Sequence, residues 1–302
     1  MKATGAVITG ALAAIVAAFS ISVSNVSLPI VYANGGDVQA FLTGRNVFGF
    51  LVAALLAMTV RMRASFKNHP HLPLTQPQVG GAVLSGSLYG AGALLVLGSI
   101  ALIPVNLAIL ILFTFPVITI LIQSVVDRRM PGAIQLCLMI CALGGVAIAL
   151  DIGADIPNPL GLLMAASGAV LVATAFVLNE RLLDGTKPFS VAAFMSLAGL
   201  AVVVGFALAT RSFSLPPTES EGMTALLVAV IGSSIAFVTM FWAVHAIGAA
   251  PTAMTMNLEP AFTIAMSYWV LSEVVSMQRL LGAAIVIGAV AVSQWITLSL
   301  SR

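Results

Sequence analysis

Charge is the property that this sequence has least of. Of its 302 residues, 12 are Lys or Arg and 10 are Asp or Glu, so charged residues make up 7% of the chain. A soluble domain carries about 25%, and a water-soluble globule of this length is hard to build with so few charges. The 60% hydrophobic content therefore indicates an integral membrane protein, and the net charge of +2 is too small to indicate nucleic-acid binding.

Cysteine and histidine are also scarce. Cys137 and Cys141 are four residues apart in one apolar run, and we interpret them as small packing residues. His69 and His71 flank Pro70 in a loop without a cysteine or carboxylate close in sequence, so no metal site is predicted. A Gly-rich phosphate loop is absent too, so we expect neither a cofactor nor direct use of ATP.

Long apolar runs take the place of charge. A helix needs about 20 apolar residues to cross the hydrocarbon of a bilayer, where backbone polar groups must pair internally. The runs lack the alternation of an outer-membrane barrel, so the fold class is all-α. They predict ten transmembrane helices, at 5–29, 38–60, 79–99, 103–125, 132–150, 159–179, 189–210, 223–244, 250–270 and 280–299.

The distribution of basic residues predicts the orientation of these spans. With the N-terminus inside, nine Lys and Arg residues fall on the inner side, while two, Arg211 and Arg279, fall outside. The excess of positive charge on one side is typical of cytoplasmic loops. Both termini are therefore expected in the cytoplasm, with the protein in the inner membrane. The nine inner residues are Lys2, Arg61, Arg63, Lys67, Arg128, Arg129, Arg181, Lys187 and Arg302.

The chain contains a weak internal repeat. An offset of 144 positions aligns the segment that begins Phe115-Pro116 with the segment that begins Glu259-Pro260, and 144–147 with 288–291. This offset predicts two five-helix repeats, 1–152 and 153–302. Because five is odd, the two repeats must have opposite orientations in the membrane. Inverted repeats of this kind are the architecture of many secondary transporters, with the substrate site between the halves.

The same segments resemble a known family. The succession from Ala246 through 258–260 and 271–273 to 282–288 is similar to the second EamA repeat of the drug/metabolite transporter superfamily, and the first half is similar in outline. The resemblance implies ten helices, inverted five-helix repeats and export of small metabolites such as amino acids.

Glu259 is the first candidate for a functional residue, because it lies in a nearly uncharged run from 246 to 272. Ionisable residues inside a membrane usually face a cavity, a partner or an ion path. Helical spacing places it on one face with Thr252, Thr255, Thr263 and Ser267. A carboxyl that alternates between neutral and charged forms is suited to carry protons. The alternative is a structural glutamate, hydrogen-bonded to hydroxyls of neighbouring helices.

Two prolines are expected to interrupt spans. Pro260 lacks an N–H group and clashes with the carbonyl of Met256, four residues before it. A kink there opens backbone carbonyls to a ligand. Pro116 is placed to have the same effect in the first half.

Arg45 is the one permanently charged residue that the sequence places inside a predicted span. A guanidinium group binds carboxylates through two hydrogen bonds, as an anionic or amino-acid substrate requires. Two alternatives remain, pairing with Asp37 and extension of the side chain toward the interface.

Hydroxyl groups supply the remaining candidates for a polar cavity, although hydroxyls in membrane helices mostly bond to the backbone or to a neighbouring helix. Tyr89 is the strongest of them, because an aromatic hydroxyl both stacks and donates a hydrogen bond. Ser20 and Ser233 are included as weaker candidates. Gly86 and Gly90, by contrast, form a small-xxx-small pattern that is expected to pack helices closely.

The function predicted from the sequence is a secondary transporter, an exporter of small polar metabolites by alternating access around a midplane cavity, with protons as a candidate coupling ion. The alternative is a non-transporting membrane scaffold or lipid flippase subunit. An intramembrane enzyme would need paired acid–base groups or metal ligands at one depth, which the sequence does not suggest. The expected partners are a small-molecule substrate and the lipid bilayer, and a homodimer through the last span of each half is left open.

Overall fold

The computed structural model describes residues 2–66, 74–150, 158–182, 187–212, 216–271 and 276–300. Within these ranges the chain forms α-helices and no strand. Lys67, His69, His71, Arg302 and the predicted boundary at 152 lie outside the described residues. The helices are α1 Lys2–Ala33, α2 Val38–Phe66, α3 Gln76–Ser99, α4 Val105–Leu112, α5 Phe115–Asp127, α6 Ala133–Leu150, α7 Pro159–Leu182, α8 Pro188–Thr210, α9 Ser220–Ile247, α10 Ala249–Met256, α11 Leu258–Leu271 and α12 Met277–Leu300.

Nine stretches of the described chain are long and apolar enough to cross a membrane. They match nine of the ten predicted runs, and one of them, Leu107–Asp127, includes most of α4 and all of α5. The predicted run 250–270, which forms α10 and α11, is the one that has no match among these nine stretches. The predicted break between the third and fourth runs is confirmed, because α3 ends at Ser99 and α4 begins at Val105.

Proline marks where several of these helices begin. Pro159 and Pro188 are the first residues of α7 and α8, and Pro77 is the second residue of α3. A proline in the first turn loses no intrahelical hydrogen bond, because the first N–H groups of a helix are unpaired anyway. At α3 the side chain of Gln78 adds a cap by accepting a hydrogen bond from the Thr75 N–H at 2.9 Å.

The larger helix contacts occur in pairs. The contact of α1 with α9 corresponds to the contact of α7 with α3. The contact of α3 with α8 corresponds in the same way to the contact of α9 with α2. The contact of α1 with α11 likewise corresponds to that of α7 with α5. Two further contacts, α2 with α8 and α6 with α12, join equivalent helices of the two halves. Exchanging α1–α6 with α7–α12 therefore leaves the main packing scheme unchanged.

One end of the bundle departs from this pairing. There α10 contacts α5 and α7, while α4 makes no comparable contact with α11 or α1 among the described residues. The Glu180 carboxylate at the end of α7 accepts a hydrogen bond from the Ala249 N–H of α10 at 3.1 Å and another from Gln123 of α5. Beside them Arg181 pairs with Asp127. Polar groups of both halves therefore join at this end.

Glycine allows the backbones of α3 and α8 to touch. A Cβ atom on Gly86 would lie 2.5 Å from the Cα of Met195, and one on Gly90 would lie 3.0 Å from the Cα of Gly199. Both separations are too short for any larger residue without movement of a backbone. The close packing predicted from the small-xxx-small pattern is confirmed.

The last helix of each half, α6 and α12, pack against each other within one chain. A Cβ on Gly145 would lie 2.9 Å from the Gly282 carbonyl oxygen. Cys137 and Cys141 lie on another face of α6 and are exposed. Their interpretation as packing residues is therefore wrong, because α6 buries its glycine side against α12 and leaves the cysteine side outside the bundle.

Candidate functional site

The two interrupted helices fix the position of the site. The helix of the second half stops at Met256, turns at Asn257 and resumes at Leu258. The residue four before Pro260 is Met256, so the interruption occurs where the missing N–H and the ring clash predict it. In the first half α4 likewise ends at Leu112, four residues before Pro116. Both predicted kinks are confirmed, and they are 144 positions apart.

Glu259 occupies the first turn of α11 and is partly buried. Its Oε1 accepts a hydrogen bond of 2.8 Å from the Asn25 side-chain amide of α1. Its backbone carbonyl accepts another, of 2.9 Å, from the Ser22 hydroxyl. The positive end of the α11 dipole also favours a carboxylate in this turn. The acid is therefore held by α1 through an amide and a hydroxyl, and its described partners include no cation.

Arg45 points into the bundle. Its side chain is only 8% exposed, and its guanidinium carbon lies 5.6 Å from the centre of the Tyr89 ring. It does not extend toward the interface, and the Asp37 carboxylate instead accepts a hydrogen bond from the Ala40 N–H at 2.9 Å. Among the described residues, Nε and Nη2 of Arg45 are enclosed and have no hydrogen-bond partner. The structure supports neither alternative that the sequence left open for this residue.

Tyr89 connects the two charges. Its phenol lies within electrostatic reach of both the Arg45 guanidinium and the Glu259 carboxylate. It also begins an aromatic cluster, with ring centres 5.3 Å from Phe237 and 5.5 Å from Phe241. The cluster continues through Phe176 to Phe115. Tyr89 is partly buried, whereas the rings behind it are buried, so its ring forms the edge of an aromatic wall.

The other predicted site residues are more scattered. The Thr255 hydroxyl donates to the Pro251 carbonyl at 2.8 Å and accepts from Gln294 of α12, and the Ser233 hydroxyl donates to the Val230 carbonyl of its own helix. Ser20 is buried where α1 meets α9. Thr263 is partly buried, and its hydroxyl oxygen has no partner among the described residues.

A solved crystal structure shows the same fold. It matches this chain with a TM-score of 0.70 and 19% sequence identity, over 96% of this chain and 99% of its own. No curated protein matches the chain. The model of the EamA-like transporter family matches it twice, at residues 8–150 and 159–294. The chain belongs to the EamA-like transporter family. With nine apolar stretches long enough to span a bilayer, it is a multi-pass membrane protein of a transporter family.

The two matched segments of this EamA-like transporter family member differ at the residue directly before the proline of each interrupted helix. Phe115 and Glu259 each stand directly before the proline of an interrupted helix. Phe115 is 6% exposed and stacks on Phe176 at 5.2 Å, whereas Glu259 is partly exposed and bonded to α1. One half therefore supplies an aromatic surface, and the other supplies an acid.

Sequence reasoning missed the residues that hold the charges in this family member. Ser22 and Asn25 are three apart on α1 and both bond to Glu259. Glu180 bonds to the start of α10. The available signal was an amide and a carboxylate inside long apolar runs. Among the described residues no group of three or more His, Cys, Asp or Glu could hold a metal ion.

Proposed function

We propose that the protein is a secondary transporter that exports a small polar metabolite by alternating access around a central site at Glu259. Ten spans would form two inverted five-helix halves, with both termini in the cytoplasm. Membership of a transporter family supports the class of function. The interrupted helix α10–α11 would be the tenth span, because its two segments together are as long as the other spans.

The paired helix contacts support two equivalent halves. The same packing scheme recurs when α1–α6 are exchanged with α7–α12, and both halves carry an interrupted helix at the same aligned position. Inverted halves of this kind move against each other around a fixed site between them. An odd number of spans in each half would give them opposite orientations.

The environment of Glu259 is the observation that carries the proposal. The acid lies at a helix interruption, partly exposed inside an apolar bundle, and is bonded to α1 of the other half. A buried carboxylate that serves packing alone is normally paired with a cation, and the described partners of Glu259 include none. An amide stabilises both the neutral and the charged carboxyl, which suits a group that gains and loses a proton.

The unequal ends of the bundle support an alternating cycle. Polar groups of α5, α7 and α10 join at one end, whereas at the other end α4 makes no comparable contact with α11 or α1 among the described residues. The basic residues would place the joined end in the cytoplasm. The described conformation would then be the one that is closed toward the cytoplasm.

The test is transport by purified protein in proteoliposomes. Counterflow of a panel of labelled metabolites would identify a substrate, and an imposed pH gradient would then drive its accumulation. We expect Glu259→Gln to abolish gradient-driven accumulation while leaving the thermal unfolding temperature close to that of the unmodified protein. Glu221→Gln, which changes an exposed acid in the first turn of α9, is the control and should transport normally.

Two results would contradict the proposal. Gradient-driven flux that persists in Glu259→Gln would remove the proton role. Absence of counterflow for every metabolite, with a partner protein copurifying, would favour a scaffold or a flippase subunit instead.

A further inference from the structure

The backbone that carries Arg45 is fixed from two sides. The Ser234 hydroxyl of α9 donates a hydrogen bond of 3.0 Å to the Arg45 carbonyl oxygen. The next residue, Asn46, is buried, and its Oδ1 would lie 2.6 Å from a Cβ atom on Gly199 of α8. Contacts with α8 and α9 therefore hold this turn of α2 in place. The position of the backbone from which the Arg45 side chain extends is consequently set by the fold.

Two nitrogens of the guanidinium group lack a hydrogen-bond partner among the described residues. Among the described residues, Arg45 is the only charged residue whose side chain is buried. Its Nε and Nη2 have no hydrogen-bond partner among these residues. The guanidinium carbon lies over the Tyr89 ring, 5.6 Å from the ring centre, but an aromatic ring offers the N–H groups no lone pair. A buried cation without an anion is costly. A chain that otherwise avoids charge therefore keeps a cation whose anion must come from elsewhere.

We propose that the anion is the carboxylate of the transported solute, received by Arg45 beside the Tyr89 ring. This inference rests on the proposed transport function and names the chemical class of its substrate. Nε and Nη2 lie on one edge of a guanidinium group, and this edge matches the two oxygens of a carboxylate through parallel hydrogen bonds. Both nitrogens are enclosed in this conformation, so the binding of the carboxylate accompanies a movement of the bundle.

Tyr89 is next to the anion subsite. Its phenol interacts electrostatically with both Arg45 and Glu259. Its ring makes edge-to-face contacts with the rings of Phe237 and Phe241. A solute whose carboxylate contacts Arg45 would pass the rest of its body over this ring toward α11. The carboxylate would then be recognised by α2 and α3, and the proton would be handled by α11 and α1.

The test compares carboxylic acids with their own carboxamides, so that size and shape stay constant while the charge is removed. The panel contains L-amino acids, 2-oxo acids and short-chain carboxylic acids, each beside its carboxamide. Thermal shift reports binding, because a ligand of the folded state raises its stability by mass action, and counterflow reports transport. We expect the unmodified protein to prefer an acid over its amide by about tenfold or more.

Variants at Arg45 separate recognition from structure. Arg45→Gln should lose the preference for the acid and should unfold at the same or a higher temperature without ligand, because it removes an unpaired buried charge. Arg45→Lys keeps the charge but lacks the planar edge, and should lower the affinity for the acid about tenfold or more. Arg61→Gln removes an exposed cation from the same helix, and should retain the full preference.

Each contrary outcome is distinct. Equal binding of acids and amides by the unmodified protein would overturn the inference and leave the transport proposal standing. Retention of the preference in Arg45→Gln, or of full affinity in Arg45→Lys, would overturn the role of the guanidinium edge. Strong destabilisation of ligand-free Arg45→Gln would make Arg45 structural and overturn the inference too. Binding of acids without any counterflow would overturn the transport proposal while leaving the anion subsite in place.

Discussion

Asn25 gives the Glu259 carboxylate an uncharged hydrogen-bond partner. An amide donates one hydrogen bond to Glu259 at 2.8 Å without adding a charge, so the acid is positioned by α1 but not neutralised by it. A lysine or arginine at this place would lock the carboxylate in an ion pair. We therefore regard Asn25 as a residue that positions Glu259.

Substitutions of Asn25 test this role. Asn25→Ala removes the donor, and Asn25→Asp places a second carboxyl beside the first, where like charges repel. We expect both variants to slow counterflow, Asn25→Asp more than Asn25→Ala, with little change in the unfolding temperature. Ser27→Ala is the control, since among the described residues the Ser27 hydroxyl bonds within α1, to the Val23 carbonyl. Equal rates in Asn25→Asp and the unmodified protein would refute the positioning role.

Sequence reasoning found the charges at this scale but not their neighbours. Glu259 and Arg45 stand out because so few residues are charged. Asn25 is 234 positions from Glu259, and no local pattern connects them. Their contact follows from the packing of α1 on α11, which depends on the whole bundle.

At the scale of the helices, proline and glycine are the residues whose effects were predictable. The steric rule for proline placed the interruptions after Met256 and Leu112. The helix face drawn from Thr252 to Ser267, however, assumed one continuous helix. Because the chain turns at Asn257, the hydroxyl of Thr255 bonds to Pro251 and α12, and only the part of that face beyond the break belongs to α11.

Two glycines of α3 allow a matched test of its contact with α8. Gly86→Ala would press a methyl group against the backbone of Met195, whereas nothing lies within 4 Å of a Cβ on Gly80. We expect Gly86→Ala to destabilise the protein by about 1–3 kcal/mol and Gly80→Ala to stabilise it by about 0.5–1 kcal/mol. Thermal unfolding in detergent measures both. An unchanged or raised stability of Gly86→Ala would mean that the two backbones are farther apart than described.

At the scale of the whole molecule, the apolar runs predicted the helices but not their arrangement. Nine of the ten predicted runs correspond to stretches of the described chain that are long and apolar enough to cross a membrane. Which helix packs on which could not be read from them, because the lipid-facing and protein-facing sides of such helices are both apolar. The exposed cysteines of α6 illustrate the difficulty, since their apolar surroundings in the sequence resemble those of a buried residue.

The sidedness of the two ends of the chain distinguishes ten spans from nine. If α10 and α11 together cross the membrane, residues 1 and 302 should both lie in the cytoplasm, and reporters fused at these two positions should give the same signal. A count of nine would put them on opposite sides. Paired fusions to alkaline phosphatase, active outside, and to a fluorescent protein that folds only inside would measure this directly. Opposite signals at the two ends would remove the inverted five-helix repeat.

The difference between Phe115 and Glu259 bears on the stoichiometry of coupling. The two positions are aligned in the two halves, each directly before the proline of an interrupted helix, yet only one of them can ionise. In a cycle coupled through this pair of positions, the machine carries at most one proton per turn there, whatever the mechanical symmetry of its halves. If the whole transport cycle moves no net charge, a pH gradient of one unit could then sustain no more than a tenfold concentration gradient of the solute. This upper limit is set by a single side chain.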